Sequence, residues 1–153
     1  MNLILAILAG LVSFSERLLV AWADFGPQEV WPAARAATDF TNLKYRVVRF
    51  DAAGTCNIAS NNLSSDAFEL AAGVIQNNPN SGQAATIAFN GRSKAWAGAA
   101  VAARELITHN ASGKVIEAVS GSTVIGRALE TAAATDDLIS VQLFPPVRWG
   151  SVA

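Results

Sequence analysis

The chain has 153 residues, with 11 Lys and Arg against 12 Asp and Glu and a formal net charge of −1. That balance leaves no one-signed surface of the kind that holds nucleic acid or an anionic membrane, so neither is expected as a direct partner. Charged residues make up 15% of the chain, well below the usual quarter, and a surface this poor in charge is expected to be covered in part by other subunits.

From the N-terminus, an apolar run spans Leu3 to Val12. It is too short to cross a bilayer, which takes about 20 residues. Leu3, Ile7, Gly10, Leu11, Phe14, Leu18 and Trp22 recur near a helical period, which predicts an apolar helix docked on this domain or on a neighbour. Leu3, Ile7, Leu11, Phe14 and Trp22 are therefore candidate interface residues. A secretory leader is the competing reading. Ala21-Trp22-Ala23 imitates a cleavage site, but no basic segment precedes the apolar run, and Glu16-Arg17 interrupts it. A start placed upstream of the true one is a third. The stretch "DFGPQEVWPAARA" (24–36) has two prolines and no periodicity and reads as a linker carrying one candidate anchor, Trp31. The expected organisation is an arm and linker over 1–36 and a β-rich domain over 37–153.

From residue 37 onward the pattern is that of short strands between turn formers. "KYRVVRF" (44–50) ends at a turn 51–54, and "FELAAGVIQ" (68–76) ends at the loop "NNPNSG" (77–82). "AATIAFNG" (84–91) puts Ile87 and Phe89 on one face, and Asn90-Gly91 predicts a two-residue hairpin into "RSKAWAG". "RELITH" (104–109) turns at "NASGK". "KVIEAVS" (114–120) places Val115, Glu117 and Val119 on one face. "TVIGRALE" (123–130) carries Gly126 as a bulge or a close backbone contact. "DLISVQLF" (137–144) alternates, with Ile139, Val141 and Leu143 inward and Ser140 and Gln142 outward. Such strands predict an all-β fold, a small barrel or sandwich of short antiparallel strands. Only "GAAVAA" and "SDAFELAAG" could form helical turns.

Little in the chain can perform chemistry. One histidine and one cysteine cannot close a zinc site, and the spacing of a calcium loop or a phosphate-binding loop is absent. No catalytic, cofactor-binding or metal-binding residue is expected. Cys56 and His109 are the remaining nucleophile and base; nothing beside Cys56 would lower its pKa, and His109, before "NASG", reads as an exposed turn residue. Trp96 and Trp149 are read as core or interface anchors before sugar platforms.

The ordered series "GVIQNNPNSGQAATIAFNGRSK", "AGAAVAARELIT", "ASGKVIEA", "VIGRALETA" and "ISVQLF" resembles the small capsid decoration, or cement, proteins of tailed bacteriophages, and "TDFTNLKYRVVRFDAAG" resembles how they begin. The resemblance covers roughly 38–144. In that family a Gly often stands where this chain has Arg104. The resemblance implies a compact β-barrel or tulip-like fold with neither catalysis nor a cofactor. It also implies a place on the outer face of an icosahedral head assembled in the host cytoplasm, with the major capsid protein and further copies of itself, commonly as a homotrimer, for partners. The rival expectations are a secreted carbohydrate-binding β domain and an enzyme using Cys56 and His109.

Overall fold

The computed structural model describes residues 28–51, 54–60 and 71–150. The expected apolar helix, and with it Leu3, Ile7, Leu11, Phe14 and Trp22, lies outside these residues. Nine strands follow in chain order: β1 (Gln28–Ala36), β2 (Val47–Phe50), β3 (Thr55–Ile58), β4 (Ala71–Ile75), β5 (Ala84–Trp96), β6 (Leu106–His109), β7 (Val115–Glu117), β8 (Thr123–Ala128) and β9 (Leu138–Arg148). No helix occurs among the described residues.

The sheet order is β1-β3-β2-β4-β5-β9-β8-β6-β7, and β1 also pairs with β5, which closes the first five strands into a barrel. All pairs are antiparallel except β1 with β3. The long β5 serves both halves of the molecule. Residues 84–91 pair with β1, and residues 91–96 pair with β9. The second half curls back as well: Ala97 bridges to Val115, and the Gly98 N–H donates to the Val115 carbonyl at 2.7 Å, so the chain leaving β5 meets β7, the strand at the far end of the sheet order.

Two apolar cores follow from this arrangement. Ala36, Phe40, Val48, Cys56, Ile75 and Ile87 fill the barrel. Their chain neighbours Val47, Val74 and Ala88 point the opposite way, because successive strand residues alternate faces, and pack with Ile107, Val115, Val141 and Leu143 of the second half. The barrel wall is thus apolar on both faces, which is why all five residues of β4 are buried.

Three expectations are corrected here. Residues 28–36 are not a linker but β1, the strand that closes the barrel. Pro32, one of the two prolines that argued against a strand, is accommodated because β1 is irregular, with register shifts at Glu29/Val30 and between Trp31 and Ala34; prolines are tolerated at such bulges. Asn90-Gly91 is not a hairpin. Gly91 does adopt a positive φ of 93°, the backbone region glycine enters without penalty, but the chain runs straight on because Asn90 and Gly91 are paired with Glu29 and Gln28, and Gly91 also with Leu143. Ser140 is buried rather than outward, its N–H and hydroxyl both donating to the Glu130 carboxylate at 3.0 and 3.1 Å. The strand Thr55–Ile58 was not expected at all: its "TCNI" shows no alternation and becomes a strand by pairing with β1 and β2. By contrast, the expected inward set Ile139, Val141 and Leu143 is buried. Gly126 sits at a register shift between β8 and β9, and a Cβ there would come within 2.3 Å of the Gln142 carbonyl oxygen.

Candidate interaction surface

The two residues with the strongest latent chemistry are both buried. Cys56 lies on β3 in the barrel core with no exposure, and burial pushes its thiol up to about 11, with the Asp51 carboxylate nearby acting in the same direction. A thiol held neutral in this way is the opposite of an activated nucleophile. His109, expected at an exposed turn, is fully buried at the end of β6, opposite Val115, with Nδ1 3.3 Å from the Asn110 carbonyl oxygen. The turn that follows bears out the expected turn chemistry: Asn110 Oδ1 accepts from the N–H of Ser112 and of Lys114. Cys56 belongs to the barrel and His109 to the second half, on strands that are not neighbours. Among the described residues no cluster of His, Cys, Asp and Glu could hold a metal, and no helix is long and apolar enough to cross a membrane.

The three described tryptophans lie at separate places. Trp96, at the end of β5, is half-buried and donates its indole N–H to the Lys44 carbonyl at 3.0 Å, a stitch between β5 and the segment leading into β2. Trp31 on β1 remains 39% exposed although its indole N–H donates to the Ala72 carbonyl at 3.0 Å. Its ring lies 4.5 Å from that of Phe89 and meets Phe50 edge-on at 5.7 Å, so it is a fixed aromatic surface, and Val30 beside it is 44% exposed. Trp149 follows β9 and is 44% exposed, as is the nearby Val147 at 45%. The backbone of Trp149 is held by two hydrogen bonds to the turn 119–122: its N–H donates to the Ser122 carbonyl and its carbonyl accepts from Gly121. Val119 on that turn is exposed as well. Exposed large apolar side chains thus occur near both ends of the described chain, but Val30, paired with Ala88, and Trp31, paired with Ile87, face opposite sides of β1; Leu129, after β8, is exposed as well. Trp31 and Trp149, singled out in sequence as candidate anchors, both lie at the surface; the valines near them gave no signal in sequence, because an isolated valine in a strand is as often core.

No family model matches the chain, and no curated protein matches it. Among solved structures the chain is similar to the head fiber gp8.5 N base of bacteriophage phi29, with a TM-score of 0.54 and 16% sequence identity over 78% of this chain and 94% of that chain. At this identity the likeness is one of fold alone; in this chain that fold is an all-β architecture in which a closed five-stranded barrel carries further strands.

Proposed function

We propose that this protein is a structural component of a tailed-phage virion that binds the outer face of the icosahedral head and stabilises the assembled capsid. In this reading its partners are the major capsid protein and further copies of itself, as a homotrimer on the shell, and it carries neither catalysis nor a cofactor. The observation that carries the reading is the fold likeness to a phage head fiber base over nearly all of that base, taken with the ordered series from Gly73 to Phe144 that resembles capsid decoration proteins. A rigid double-core β fold with exposed aromatic anchors suits attachment, and a protein that binds only the assembled shell stabilises it by mass action. In a purified virion preparation the chain should co-fractionate with heads, and heads lacking it should release DNA at a lower temperature than decorated heads. Equal release temperatures, or absence from heads, would overturn the proposal. A second reading, favoured by the same fold likeness, makes this domain the base of a longer head appendage. Cryo-electron microscopy separates the two: a low knob on the shell supports decoration, a projecting fibre supports the base.

A further inference from the structure

Asn90-Gly91 is the only Asn-Gly pair in the sequence; every other asparagine precedes a residue whose side chain crowds the backbone nitrogen between them. Glycine leaves that nitrogen open and lets the chain turn freely about it. The fold sets the pair at an irregular point of the sheet. Glu29 pairs with Asn90 and Val30 with Ala88, so Phe89 is an extra residue on β5, and Gly91 follows with its φ of 93°. Both Asn90 and Gly91 are half-buried, so water reaches them. The Asn90 side-chain amide is held at its two ends. Its Nδ2 donates to the Glu29 carboxylate at 3.2 Å, and its Oδ1 accepts from the Gly91 N–H at 3.0 Å. The Gly91 nitrogen therefore lies beside the carbonyl of that amide, while the amide nitrogen is turned towards β1.

We propose that Asn90 deamidates spontaneously in the folded protein and that the conversion loosens β1 from β5. The Gly91 nitrogen gives its proton to hydroxide or water, and its electron pair forms a bond to Asn90 Cγ. The Cγ–Nδ2 bond breaks, and the nitrogen leaves as ammonia after taking a proton from water. A second water then opens the cyclic imide at either carbonyl, leaving aspartate or isoaspartate at position 90. Nothing is oxidised or reduced; the net change is water in and ammonia out. Fixing the nitrogen beside the carbonyl supplies the proximity the first step needs. The new carboxylate stands directly opposite Glu29, where like charges repel across a strand pair. It also lacks the N–H that Asn90 donates to Glu29. Isoaspartate lengthens the backbone as well, which disturbs the register on which the closing pair depends.

The native full-length protein is held at mildly alkaline pH, and its peptides are followed by mass spectrometry beside those of the urea-unfolded chain. Asn90 should be lost from the native protein ahead of every other asparagine, with isoaspartate among the products. A native protein that keeps Asn90 while the unfolded chain loses it would show that the sheet protects the site, and would overturn the proposal. The consequence is read on Asn90→Asp, which should melt at a lower temperature than the unaltered protein. Adding Glu29→Gln to that chain should recover most of the loss, because an amide at position 29 donates to the new carboxylate. An unchanged melting temperature in Asn90→Asp would overturn the loosening, and a double variant no more stable than Asn90→Asp would overturn its cause in the facing charges.

Discussion

Arg104 holds a positive φ of 76°, a left-handed conformation that costs an ordinary L-residue energy and costs glycine none. Its side chain is exposed, and its N–H donates to the Ala128 carbonyl at 2.8 Å, so the backbone is held in place whatever the side chain is. Arg104→Gly should therefore raise stability by roughly 0.5 kcal/mol, the relief of strain being partly offset by the greater freedom of glycine in the unfolded chain. Arg104→Val should lower it by about 1 kcal/mol or more, since a β-branched residue fits the left-handed region poorly. Urea titration of both variants checks the pair; a less stable glycine variant contradicts the account. Cys56 makes the second prediction at this scale. Its thiol is raised to about 11 in the fold, against roughly 8.5 when unfolded. The folded state thus favours the neutral form, and the resulting stability is complete below about pH 8.5 and lost as pH rises toward the folded value. Native protein at pH 8 should resist iodoacetamide, with labelling appearing only at the urea concentration that unfolds it. Cys56→Ala should flatten the alkaline decline in stability, although the small cavity lowers its stability at neutral pH.

Among the elements, the β6–β7 hairpin shows how the two halves are joined. Its turn lies against the start of β2: the Val47 N–H donates to the Gly113 carbonyl at 2.7 Å, and Arg46 Nη1 donates to the Ser112 carbonyl at 3.1 Å. Lys114, at the foot of β7, forms an ion pair with Asp136 at 2.5 Å, tying the hairpin to the turn before β9. The hydrogen bond from Lys114 holds the Asp136 carboxyl below the usual carboxylate range. A depressed carboxylate stabilises the fold above its unfolded value, near pH 4, and that contribution is lost as pH falls through the folded value. Asp136 is exposed and the pair is screened, so the effect is small and salt-dependent. Asp136→Asn removes the charge while keeping a residue that tolerates the positive φ of 66° found there. Acid unfolding of this variant followed by circular dichroism should be less steep below pH 4 than that of the wild type. The difference should fade in 1 M salt, where the Debye length is about 3 Å; an identical acid limb would argue against the pair.

For the whole molecule, β1 decides whether the barrel exists. It supplies Ala34 and Ala36 to the barrel core, places Trp31 against Phe50 and Phe89, and is the only described strand that closes β3 back to β5. A chain beginning at Ala37 should therefore lose cooperative unfolding, whereas one beginning at Asp24 keeps β1 whole. Without β1 the backbone edges of β3 and β5 and the apolar interior are opened to water, a loss beyond the 5–15 kcal/mol by which a domain is typically stable. Thermal unfolding monitored by near-ultraviolet circular dichroism compares the two chains; a folded domain starting at Ala37 would show that the barrel closes without β1.

Periodicity and turn chemistry were enough to read the all-β class, the turns at Asn110 to Gly113 and 77–82, the inward set of β9 and the close contact at Gly126, because each depends on residues near in sequence. Long-range pairing decided the rest. The stretch 28–36 looks like a linker until β5 lies beside it; Asn90-Gly91 looks like a hairpin until Gln28, Glu29 and Leu143 occupy its flanks; and "TCNI" becomes a strand only between β1 and β2. His109 and Ser140 look polar and exposed until the second half folds over them. In each case the backbone's need for hydrogen-bond partners, and the face on which a strand is covered, are set by segments distant in the chain, and a local pattern carries no record of them.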